Sequence, residues 1–160
     1  MEFSVEVPDV EELGEGNPLE LVVHNALLKL RAVPGALVLA VDSMVVWDGS
    51  AHGKPADAAE AQAWLRELSG RWHEVMGGIA IREDGEERTD VAVTRVRFRE
   101  LAEADIERYL ASGEWRDRAG GYAIQELGAM LIECIEGDYF NVVGLPVPAL
   151  LRLLPGLLHS

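Results

Sequence analysis

Apolar and polar positions along the chain change period several times, and each change marks an element. Phe3, Val5 and Val7 alternate with Ser4 and Glu6, the period of a half-buried strand ending at Pro8. Leu19, Val22, Val23, Ala26, Leu27 and Leu30 recur at helical spacing, so residues 18–32 are predicted to form an amphipathic helix. Asn17 stands at its N-cap and Pro18 at its first helical position, both favoured there. After Pro34 and Gly35, residues 36–41 form an unbroken apolar run, predicted as a strand buried on both faces and closed by Asp42. Met44 to Trp47 resumes the apolar run, and Asp48-Gly49 is a hairpin dipeptide.

Further along, Asp57 caps a second predicted helix with Ala61, Trp64, Leu65 and Leu68 inward, stopped at Ser69-Gly70. Residues 72–82 and 90–98 read as a long hairpin turning at Asp84-Gly85. A short helix follows over residues 102–111, with Ile106, Tyr109 and Leu110 on its inner face. Residues 129–135 are predicted as a strand, and Leu150, Leu151 and Leu154 as the face of a last helix.

At 160 residues, 49% of them hydrophobic and 26% charged, the chain suits one domain with a core of its own. Its net charge of −14 argues against a nucleic-acid groove, which needs a basic footprint. A free triphosphate stays compatible, because a metal ion and a few local cations neutralise it within an acidic protein. Cys134 is the single cysteine, so no internal disulfide is expected; it reads as a small core residue. No signal peptide or membrane-length apolar stretch is read from the sequence, and the expected location is cytoplasmic.

Candidate chemistry gathers around Asp42. A carboxylate at the end of a buried strand needs a partner, either local backbone N–H groups or a cation. The Asp48-Gly49 hairpin, followed by Gly53-Lys54-Pro55, is expected to bring Lys54 back towards Asp42. Glu12, in the acidic stretch Asp9 to Glu15, reads as a solvated charge, and Lys29 as a helix-end cation favoured by the dipole. Paired Gly120 and Gly121 allow close approach to a ligand. Gln125 on an apolar background is either a satisfied structural amide or a reader of a pyrimidine edge, since it offers both a donor and an acceptor. His73 has no second ligand at metal spacing and receives no catalytic role.

The phrases VDSMVVWDGSAHGKP, DAAEAQAWLRELSGRWHEV, SGEWRDRAGGYAIQELGA and GDYFNVVGLP, in this order, resemble the Maf family of nucleoside triphosphate pyrophosphatases. The resemblance runs from about Phe3 to Leu154 and implies an α/β fold: a mixed twisted sheet with flanking helices, in two lobes around a cleft, similar to the inosine triphosphatase group. It implies hydrolysis of dTTP and UTP to the monophosphate and pyrophosphate, a house-cleaning activity, because Ile124-Gln125 matches that branch. On the same footing Asp42 is the proton acceptor, Glu12 and Asp42 hold a divalent metal (Mg²⁺ or Mn²⁺), Lys29 and Lys54 bind phosphates, and Ser43 with Gln125 selects the base. The expected partners are nucleoside triphosphates and a second copy in a homodimer, with neither nucleic acid nor membrane. The family's opening Ser-x-Ser-Pro-Arg-Arg loop has no counterpart in the sequence, so residues 1–160 are expected to be one domain shortened at its N-terminus. A catalytically weakened nucleotide-binding protein, or an interaction protein of septum formation, is the alternative.

Overall fold

The computed structural model describes residues 3–159. Five strands form one sheet in the order β2-β1-β3-β4-β5: β1 Leu37–Trp47, β2 Ser50–His52, β3 Trp72–Glu83, β4 Glu86–Phe98 and β5 Ile132–Glu136. Its helices are α1 Pro18–Ala32, α2 Ala58–Leu68, α3 Glu103–Ser112, α4 Tyr139–Val143 and α5 Val147–Leu153. The α/β architecture is the one predicted, with every observed strand pairing antiparallel.

Local chemistry accounts for the elements that match. Asn17 accepts from the amides of Leu19 and Glu20 at 3.0 and 3.3 Å, starting α1 where a cap was expected. Asp57 does the same for α2 through the Glu60 amide at 2.9 Å. Asp48 and Gly49 both take positive φ, 50° and 76°, the geometry whose twist suits a two-residue hairpin.

Helix α1 covers one sheet face, where Ala26 and Leu30 meet Val38, Ala40 and Ala80. On the other face a larger core joins Val45, Trp47, Val75 and Phe98 to Leu65 of α2 and to Ile106 and Tyr109 of α3. Further along that face, Ala149 and Leu150 of α5 cover Ile79 and Ile81.

Five expectations are corrected. Phe3, Val5 and Val7 are exposed and form no strand: alternation alone makes an apolar edge, and no strand among the described residues pairs with it. Residues 36–41 are not buried on both faces, because α1 covers only one; Leu37 and Leu39 remain 47% and 42% exposed. Asp42 does not close a strand but sits inside β1, since partners from α1 satisfy it there. Lastly, residues 126–131 form a 3₁₀ turn before β5 begins at Ile132, and Cys134 on that outermost strand is exposed rather than core.

Candidate active site

β2 pairs only with Val45, Val46 and Trp47, so β1 from Leu37 to Met44 has no neighbour on that side among the described residues. A cavity of about 230 Å³ wraps around this bare edge at residues 41–45. Successive side chains of a strand point to opposite faces. Asp42 therefore joins Ala40 and Met44 on the α1 side, while Ser43 joins Val45 on the other.

On the α1 side, every oxygen of the Asp42 carboxylate has a donor. The Lys29 ammonium lies 2.7 Å from Oδ1, and the Asn25 amide donates to Oδ2 at 3.2 Å. Asp42 is only 6% exposed, and a buried charge is tolerable with such pairing. Lys29 also reaches Glu12 Oε1 at 2.8 Å, so one ammonium bridges two carboxylates. Burial by itself would depress the Lys29 pKa, but its hydrogen bonds to Asp42 and Glu12 outweigh that and hold it above the ordinary lysine value. Asn25, fully buried, accepts from the Leu13 amide at 2.8 Å and donates to the Leu13 carbonyl at 3.0 Å. It thus fastens the acidic loop carrying Glu12 to both the helix and Asp42.

This closeness rests on glycine. Gly78 pairs with Asp42 across the sheet, and a Cβ there would lie 2.2 Å from the Val22 carbonyl oxygen in the α1 backbone. Without side chain or clash, α1 lies low enough on the sheet for Asn25 and Lys29 to reach Asp42.

The opposite wall comes from two loops. The Gly120 amide donates to the Gly53 carbonyl at 2.9 Å, tying the Lys54 loop to the loop containing Arg118. Gly120 takes φ 68°, and a Cβ on it would lie 2.7 Å from Val45 Cγ2, so only glycine fits. Lys54 and Arg118 are exposed, line the cavity, and form no ion pair or side-chain hydrogen bond among the described residues. In a chain of net charge −14, such uncommitted cations favour an anionic ligand. Behind this wall Tyr122 contacts His73, hydroxyl to Nε2, at 2.7 Å. Burial pushes His73 down to about 4 and the Tyr122 phenol up, leaving a neutral pair at pH 7 that fits a packing role.

Glu12, Lys29, Asp42, Ser43, Lys54 and Gln125 all line this one cavity. The expected Asp42–Lys54 pairing is not observed: Lys29 and Asn25 hold the carboxylate, and Lys54 faces the cavity from the other wall. Asn25 was missed, although a polar residue four positions before Lys29 in an apolar helix shares its face. Arg118 was not among the candidates either.

Glu12 and Asp42 offer hard carboxylate oxygens, and no group of three or more His, Cys, Asp or Glu able to hold a metal occurs among the described residues. Two carboxylates suit Mg²⁺ or Mn²⁺ when substrate phosphates complete the shell, and the Lys29 ammonium already stands between them as a cation. The residues therefore fit a metal that shares its coordination with a phosphate ligand.

Residues 1–157 match the family described as Maf-like protein. A dTTP/UTP pyrophosphatase of Dictyoglomus thermophilum is 44% identical across 100% of this chain and 88% of its own length. Those of Akkermansia muciniphila and Symbiobacterium thermophilum are 44% and 47% identical, covering 97% and 95% of this chain and 85% and 81% of their own.

Proposed function

This chain belongs to the Maf-like family, and from that premise we propose that it is a nucleoside triphosphate pyrophosphatase converting dTTP and UTP to the monophosphate and pyrophosphate. The relatives named dTTP/UTP pyrophosphatase support the substrate class. The observation that carries the site reading is the buried Asp42, paired with Lys29 and facing a cavity whose other wall holds Lys54 and Arg118.

Hydrolysis requires a water to form a bond with the α-phosphorus while the bond from that phosphorus to the α,β-bridging oxygen breaks and pyrophosphate leaves. Asp42 takes the water's proton, a role worth about 100- to 10,000-fold in rate. Glu12 and Asp42 would hold a divalent metal, which would supply charge neutralisation at the phosphate oxygens. Lys54 and Arg118 balance the remaining phosphate charge, which is why they stay uncommitted in an acidic chain. Ser43 and Gln125 contact the base. Thymine and uracil present an N–H between two carbonyls, and one carboxamide matches this by donating to an oxygen and accepting from the N–H. Cytosine presents an acceptor at that position, leaving part of the amide unpaired.

Parallel kinetics for dTTP, UTP, CTP, ATP and GTP test this reading. Pyrophosphate release should rank dTTP and UTP first, CTP next and the purines last. Gln125→Ala should flatten the ranking more than it slows the best substrate, by about 1 to 3 kcal/mol of discrimination against CTP. A uniform loss with the ranking intact removes Gln125 from base selection; no pyrophosphate from any nucleotide refutes the activity. A single domain, homodimeric and cytoplasmic, belongs to the same proposal, with sedimentation and cell fractionation as its checks.

A further inference from the structure

Lys29 holds a place in this site that a phosphate-binding lysine does not need. Its ammonium lies 2.8 Å from Glu12 Oε1 and 2.7 Å from Asp42 Oδ1, with the Val41 carbonyl at 3.4 Å. It therefore sits against one oxygen of each of the two carboxylates that fit a divalent cation, and a cation approaching those oxygens meets the repulsion of the ammonium. Lys54, on the opposite wall, touches neither carboxylate. Of the roughly four lone-pair directions of the Asp42 carboxylate, Lys29 takes one at Oδ1 and Asn25 another at Oδ2.

We propose that Lys29 is an internal counter-ion that keeps Glu12 and Asp42 closed to a free divalent cation and releases them only when a triphosphate offers its ammonium phosphate oxygens. The side chain is 23% exposed and sits on the cavity wall, so it reaches a ligand by rotamer change without leaving its helix. The released carboxylates then receive the cation that accompanies the triphosphate. Cation binding is thereby conditional on nucleotide, and the two carboxylates never face each other without a positive charge between them. This inference rests on the triphosphate reading of the cavity but concerns a separate property, cation access in the absence of nucleotide.

Two measurements on the whole chain test it. The first is Mn²⁺ affinity without nucleotide, by electron paramagnetic resonance of free Mn²⁺. Lys29→Met should tighten it by about tenfold or more, within the usual span of site–site coupling. Lys54→Met, which removes a cavity cation that touches neither carboxylate, should leave it near wild type. Equal tightening in both variants would reduce the effect to net charge, and no tightening in Lys29→Met would show that the ammonium excludes nothing; either outcome overturns the proposal. The second measurement uses the wild-type chain, and so survives a Lys29→Met variant that fails to fold. With ¹⁵N-labelled lysine, only Lys29 and Lys54 give Nζ signals, and Lys54→Met identifies which is which. Mg²⁺ alone should leave the Lys29 signal in place, whereas Mg²⁺ with a dTTP analogue carrying an α,β-imido bridge should shift it. A shift with Mg²⁺ alone, or none with Mg²⁺ and bound analogue, refutes the exchange. Failure of the analogue to bind at all would instead refute the nucleotide reading, and the Mn²⁺ comparison would still decide the role of Lys29.

Discussion

Gly78→Ala is the substitution through which the packing of the site is most directly read. A Cβ at this position would lie 2.2 Å from the Val22 carbonyl oxygen and 2.4 Å from its carbon, where ordinary contact begins at 3.4 Å. The obstacle is helix backbone, so no side chain can turn aside. Restoring contact needs α1 to lift by about 1.2 Å, the difference between 3.4 and 2.2 Å. Overpacking of this kind costs about 1 to 3 kcal/mol. The same displacement stretches the Lys29–Asp42 contact from 2.7 Å out of hydrogen-bond range. Misplacement by about 1 Å in such a site costs about 100-fold in rate. Gly77→Ala is the matched control: its Cβ would meet the Asn141 side chain, 2.0 Å from Oδ1, on the other face. Urea unfolding and pyrophosphate release measured on both variants should show stability lost in each, but the large loss of kcat/KM only in Gly78→Ala. Gly78→Ala with wild-type stability and turnover would refute the dependence of the site on this close approach.

Asp42→Asn removes the proposed proton acceptor and one partner of Lys29; pyrophosphate release should fall by about 100-fold or more while circular dichroism stays native, and wild-type turnover would refute the assignment. His73 titrates at about 4 in the fold and near 6.5 when unfolded, so between those values the unfolded chain binds more protons. The His73 contribution to stability is therefore complete above pH 6.5 and is lost as pH falls towards 4, by about 3 kcal/mol over the window. Urea midpoints at pH 7 and pH 4.5 for wild type and His73→Gln should show this as a difference in pH slope, and parallel slopes would remove His73 from the account.

Much of the fold was legible because its signals are local. The cap at Asn17, the helix period through Leu30, the Asp48-Gly49 turn and the Asp84-Gly85 hairpin each depend on neighbours within one or two turns of chain. The six candidate residues do line one cavity; Asp42, Lys54 and Gln125 stood out from their own pattern, the roles of Glu12, Lys29 and Ser43 came only by resemblance, and composition added only that an acidic chain could still take an anion. What the strand pattern could not settle was which positions would find a partner. Phe3, Val5 and Val7 alternate like a strand yet pair with nothing among the described residues, Cys134 is exposed on the outermost strand, and Leu37 and Leu39 stay exposed on the face opposite α1. Burial and pairing are decided by elements distant in sequence. The same limit governs the site. From the chain alone Lys54 was the cation expected beside Asp42, because a hairpin joins them. It is Lys29, 13 residues before Asp42, that makes the contact, because Gly78, far along in sequence, lets α1 lie close on the sheet. The sequence by itself determined which residues carry charge and where the chain turns; the depth to which α1 settles, set by a missing side chain on β3, decided which charge meets which.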